Sequence, residues 1–103
     1  MRVARGRFVT KLIREFPLRV GSAAASYAPR AYGEKRSDGR WEGWLEFSDA
    51  RTGEIILTGR ETTQSDLLGL RYWASGLGRA FLEGALVRAR RRFGASILHR
   101  GLV

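Results

Sequence analysis

The stretch after Ser37–Asp38–Gly39 constrains this chain more than any other. Trp41, Leu45 and Phe47 alternate there with Glu42, Trp44 and Glu46. Period-two alternation places successive side chains on opposite faces of a strand, so Arg40–Ser48 reads as a half-buried strand with one apolar and one mixed face. Asp-Gly is a hairpin signal, and it separates this strand from Tyr32–Glu34 before it. A second loop at Ser48–Gly53 leads into Glu54–Thr62, where Ile55 and Leu57 are expected to join the same core. The result is an antiparallel meander of three or four strands. The alternation turns Trp44 outward, among Glu42 and Glu46.

Residues 63–93 carry the helical period. Leu67, Leu70, Trp73 or Ala74, Leu77, Phe81, Ala85 and Ala89 step by three or four, giving one face that can cover a sheet. Thr63 with Asp66 reads as a helix start. Gly76 and Gly78 predict a break into two helices, and Gly94 a C-terminal cap. The tail Ala95–Val103 holds a short apolar run, Ser96–Leu98, that could add a strand. At the other end, Phe8, Val9, Leu12, Ile13 and Phe16 recur at helical spacing, with Arg7, Lys11 and Arg14 on the opposite side and Pro17 closing the run. That segment reads as a basic docked arm or amphipathic helix; its Arg-rich, Ser/Ala-rich character also leaves organellar targeting open. The division is thus an arm over residues 1–26 and a small α+β domain over residues 27–103.

The chemistry available is narrow. No cysteine and a single histidine, His99, leave no disulfide framework, no thiolate nucleophile and no histidine-rich metal site within the chain. Glu42, Glu46, Asp49, Glu54 and Glu61 are spread along strands without a histidine near them in sequence, the pattern of a solvated face. Ser65, Thr62 and Thr63 read as capping groups, since no nucleophile-elbow pattern accompanies them. No phosphate-loop glycine pattern is present. The expectation is a non-enzymatic protein with no cofactor and no metal.

Charge is the strongest remaining signal. The chain carries +9 overall, distributed as +7 over residues 1–36, −4 over 37–70 and +6 over 71–103. Only the two ends would attract a polyanion. Arg88, Arg91 and Arg92 share one side of the last helix, with Arg90 on another. Together with Arg2, Arg5, Arg7, Lys11 and Arg14 they form the candidate nucleic-acid contacts, of a sequence-independent, electrostatic kind. Trp44, Tyr72 and Trp73 are the candidates for a protein interface, with homo-oligomers included. A cytoplasmic chain is expected, and no uncharged stretch is long enough to span a bilayer.

The order strand–strand–strand–helix over residues 30–77 resembles two small modules. One is the arm-type DNA-binding domain of tyrosine integrases, which lays its sheet in the DNA major groove. The matching strands RWEGWLEFS and GEIILTGRE carry Glu42, Glu46, Glu54 and Glu61 where that family has Arg and Lys. The other is the HicB antitoxin domain, whose Asp-Gly turn, aromatic strand and capped helix resemble SDGRWEGWLEF and TTQSDLLGLRYWA. Its proline-containing loop and downstream DNA-binding segment are missing. Each likeness covers less than half of the chain, and neither family is claimed. The second implies an antitoxin-like regulatory module as the alternative to nucleic-acid binding.

Overall fold

A computed structural model describes the backbone of residues 9–102 and the side chains of residues 9–91. Six strands precede two helices: β1 (Lys11–Glu15), β2 (Val20–Gly21), β3 (Ser26–Lys35), β4 (Trp41–Asp49), β5 (Glu54–Leu57), β6 (Thr62–Gln64), α1 (Leu67–Ser75) and α2 (Arg79–Leu102). All pairings are antiparallel, in the order β1-β3-β4-β5. β2 continues the β1 edge by pairing with β3, and β6 continues the β5 edge by pairing with β4. Both helices lie on one face of the sheet. α1 packs on β1, β4 and β6, and α2 packs on β2 and β5. This is the α+β architecture expected from the sequence, with a helix pair broken where Gly76 and Gly78 stand.

The hairpin β3–β4 follows its turn chemistry. Gly39 has φ +90 and its N–H donates to the Arg36 carbonyl at 3.0 Å. Asp38 accepts from the Arg40 N–H at 3.0 Å, an Asx turn that fixes the loop. The resulting register sets Ala31 opposite Leu45, Tyr32 opposite Trp44 and Gly33 opposite Gly43. Core and outer faces then follow by alternation. Tyr27, Ala31, Leu45 and Phe47 are buried beneath the helices with Ile56, Leu82, Ala85, Leu86 and Ala89.

Gly33 and Gly43 face each other across the hairpin on the helix side, and their missing side chains form a slot. A Cβ at Gly43 would stand 2.7 Å from Leu70 Cδ1, and one at Gly33 would overlap Leu70 Cδ2. Leu70, fully buried, therefore brings α1 down onto bare backbone.

Several expectations are corrected. Residues 11–15 form an edge strand, not part of a helix, and the register slips between Leu12 and Arg14. Ile55 and Leu57 point away from the core, at 41% and 48% exposure, and Ile56 fills it. The tight β4–β5 turn pairs Asp49 with Glu54, which puts Ile56 opposite Phe47 and settles the phase. The strand expected over Glu54–Thr62 is interrupted after Leu57. There the Thr58 hydroxyl accepts from the Leu45 N–H at 3.0 Å, standing in for a ladder partner. The helix start is Asp66, whose carboxylate accepts from Gly69 N–H at 2.8 Å, while Thr63 belongs to β6. Among the C-terminal expectations, Phe81 is 38% exposed because the helical phase restarts after the break, leaving Leu82 inward. Gly94 does not end α2, which continues to Leu102 and takes the tail residues 96–98 into helix rather than strand.

The β3–β4 turn also predicts an acid response. A hydrogen bond from Arg36 and another from the Arg40 N–H lower the Asp38 pKa from 3.8 to about 2. A carboxylate with a depressed folded pKa stabilises the fold fully above its unfolded pKa and loses that contribution as pH falls through the folded value. In thermal melts between pH 7 and pH 2, the stability gap between the chain and Asp38→Asn should be constant above about pH 5 and shrink towards pH 2. Parallel curves down to pH 2 would show that the turn does not hold the ionised form.

Candidate interaction surface

The basic ends do not meet as a single patch among the described residues. Arg2, Arg5 and Arg7 and the Arg92 side chain lie outside them. Arg14 donates to the Ala74 carbonyl at 2.9 Å and the Ser75 carbonyl at 3.3 Å, closing the C-terminal end of α1. Its guanidinium also lies 4.5 Å from the Phe16 ring centre. Arg88 donates to Glu61 at 2.8 Å and stacks over Phe81. Arg90 donates to the Tyr27 hydroxyl at 2.8 Å. Of the predicted contacts, Lys11 and Arg91 are exposed and their side chains make no ion pair or hydrogen bond among the described residues. Arg14 and Arg88 sit towards opposite edges of the sheet, on β1 and beside the β5–β6 connection. Three strand spacings separate those edges, roughly 14 Å.

The three aromatic candidates are also separated. Trp73 is tucked between α1 and the sheet, near Gly43. Tyr72 projects from α1 at 80% exposure. Trp44 alone faces outward from the sheet, where the alternation placed it. Its ring stacks against Tyr32, with centroids 6.4 Å apart and planes 20° from parallel.

No helix covers this outer face among the described residues, since α1 and α2 occupy the other side. Leu12, Tyr32 and Trp44 are register neighbours on β1, β3 and β4, so an apolar row crosses three strands. Leu57, opposite Glu46 on β5, extends the row to the far edge. Leu12 is 44% exposed, while Tyr32 and Trp44 are half-buried by each other and their neighbours. Where Thr58–Glu61 leaves the ladder, an open groove of about 250 Å³ forms beside Trp44, lined by Glu42, Leu57, Thr58, Gly59 and Arg60.

The rest of the face is acidic. Glu15, Glu34, Glu42 and Glu46 project with the apolar row, against Arg30 within the strands. Arg30 reaches Glu15 at 3.5 Å and Glu46 at 3.8 Å. Glu34 and Glu42 are direct cross-strand partners. Arg36 comes within 3.9 Å of Glu42, and Glu34 has no ion-pair partner among the described residues. The helix layer carries the opposite sign, through Arg71, Arg79, Arg88 and Arg91 with Glu83 alone against them.

Tyr32, Leu12, Leu57 and Arg60 were missed as site residues. Tyr32 was legible, because hairpin register about the Asp-Gly turn pairs it with Trp44. The other three depend on the β1 bulge and the break at Thr58. Among the described residues no group of His, Cys, Asp or Glu is placed to hold a metal ion, and no helix is long and apolar enough to cross a membrane. The chain matches no protein-family model, and no curated protein or solved structure matches it.

Proposed function

We propose that this chain is a non-enzymatic interaction module, working within a larger assembly, that meets a protein partner through the open face of its sheet. The observation that carries this reading is the apolar row Leu12–Tyr32–Trp44–Leu57 on a face without a helix over it among the described residues. Aromatic side chains anchor interfaces by removing a large apolar area from water while losing little rotamer freedom. A stacked Tyr–Trp pair beside an open groove is such an anchor. The acids around it make the same face a poor platform for phosphates.

A second reading, nucleic-acid contact through the basic ends, is supported by the net charge of +9 and by Lys11 and Arg91, whose side chains have no ion-pair partner among the described residues. Each phosphate contact would add about 0.9 to the log–log salt slope on duplex DNA. Low-salt co-purification with and without nuclease separates the two. A protein should stay bound after nuclease, and the double variant Tyr32→Ala/Trp44→Ala should retain it about thirty-fold less well, the loss of a 2 kcal/mol anchor. A triple variant, Lys11→Gln/Arg88→Gln/Arg91→Gln, should keep it. Nucleic acid alone travelling with the chain, and lost from the triple variant, would replace the favoured reading with the second.

A further inference from the structure

We infer that the segment docking on this face is cationic as well as apolar: a short stretch of a partner protein with alternate apolar residues flanked by Arg or Lys. The inference rests on the face being the interface and adds the chemistry of what it takes. Glu34 and Glu42 stand directly opposite each other on an open face. Like charges in that arrangement weaken a sheet. Among the described residues, the cation that pairs with Glu42 is Arg36, at 3.9 Å and so beyond hydrogen-bond distance, and Arg36 already contacts Asp38 at 3.2 Å. An incoming guanidinium or ammonium group between the two carboxylates would remove the repulsion. Of the four carboxylates on the face, Glu15 and Glu46 pair with Arg30 and Glu42 lies beside Arg36, with Arg60 at the groove rim, so Glu34 is left without an ion pair among the described residues. An anionic or phosphate-bearing partner would meet that field unfavourably.

The dimensions fit an extended segment. Leu12 to Leu57 crosses three strand spacings, roughly 14 Å. In an extended chain, residues i, i+2 and i+4 share one side and span roughly 13 Å. Three alternate apolar side chains can therefore lie along the row, one of them in the groove beside Trp44.

The test uses the full chain and three dye-labelled twelve-residue peptides, read by fluorescence anisotropy. The first has three alternate leucines in an Arg/Ser context; the second replaces each Arg by Glu, and the third replaces each Leu by Ser. The first should bind, and the other two at least ten-fold more weakly. Trp44→Ala should weaken the first about thirty-fold, and Glu34→Gln/Glu42→Gln should weaken it several-fold and flatten its salt dependence. Arg91→Gln should leave it unchanged. Circular dichroism of each variant separates lost binding from lost folding. Binding of the Glu peptide at equal strength, still dependent on Trp44, would overturn the charge assignment while leaving the face as an interface. Binding indifferent to Trp44 would overturn both. A Trp44-dependent increase in mass with concentration and no peptide binding would make the occupant a second copy and overturn the inference. Single-stranded DNA bound at Trp44 as tightly as the first peptide would overturn it too.

Discussion

Truncating Leu70 to alanine is expected to cost about 2–5 kcal/mol of folding stability, the range for emptying a well-packed leucine site. Leu70 is fully buried and seated over the paired glycines of β3 and β4. Gly33→Ala should also destabilise, by about 1–3 kcal/mol, because the new methyl group overlaps Leu70 Cδ2 and α1 must lift or Leu70 must leave its rotamer. The two losses should not add. Once Leu70 is truncated, the methyl at position 33 occupies vacated space, and the double variant should recover part of the deficit. A coupling of about 0.5–3 kcal/mol is the size found for residues in contact. Urea unfolding of the four proteins measures it. Strict additivity would mean that α1 is not held at this depth by the Gly33–Gly43 slot.

Tyr27→Ala should be at least as damaging, at about 3–5 kcal/mol by analogy with other large aromatics. The ring is fully buried, and its hydroxyl is the junction of three elements. It donates to Glu54 on β5 at 2.7 Å and accepts from Arg90 on α2 at 2.8 Å. The Arg90 guanidinium also sits 5.1 Å from the ring centre. Burial, and then the Glu54 acceptor, push the phenol pKa up, so the hydroxyl keeps its proton across the physiological range. Tyr27→Phe isolates the polar part. It should cost about 1–3 kcal/mol, since two charged groups lose their shared partner while the packing stays. A Phe variant as stable as the parent would show that Glu54 and Arg90 are satisfied without the hydroxyl.

The hairpin was legible because its information is local. Asp38–Gly39 fixes the turn, the turn fixes the register, and alternation then assigns every side chain of β4, Trp44 included. The break at Gly76–Gly78 was legible for the same reason. β1 was not. Its bulge turns Ile13 and Arg14 towards the helices together, and two successive inward residues imitate the spacing of a helix face. A second non-local effect hid the fate of the arginines. Arg14 is satisfied by α1 some 60 residues away and Arg88 by Glu61, 27 residues away, so their clustering in sequence says little about what remains for an outside partner. Of the acids read as a solvated face, Glu42 and Glu46 do lie on the outer face, whereas Asp49 is buried and Glu54 and Glu61 are held by Tyr27 and Arg88. The cross-strand opposition of Glu34 and Glu42 emerges only with the register.

Trp44 is the residue that must meet the partner. The chain has three indole N–H groups, which a single 15N–1H correlation spectrum resolves. On addition of the partner that survives nuclease treatment, the Trp44 indole signal should shift or broaden while those of Trp41 and Trp73 stay in place. An unmoved Trp44 signal, with perturbation confined to Lys11, Arg91 and the last turns of α2, would contradict it.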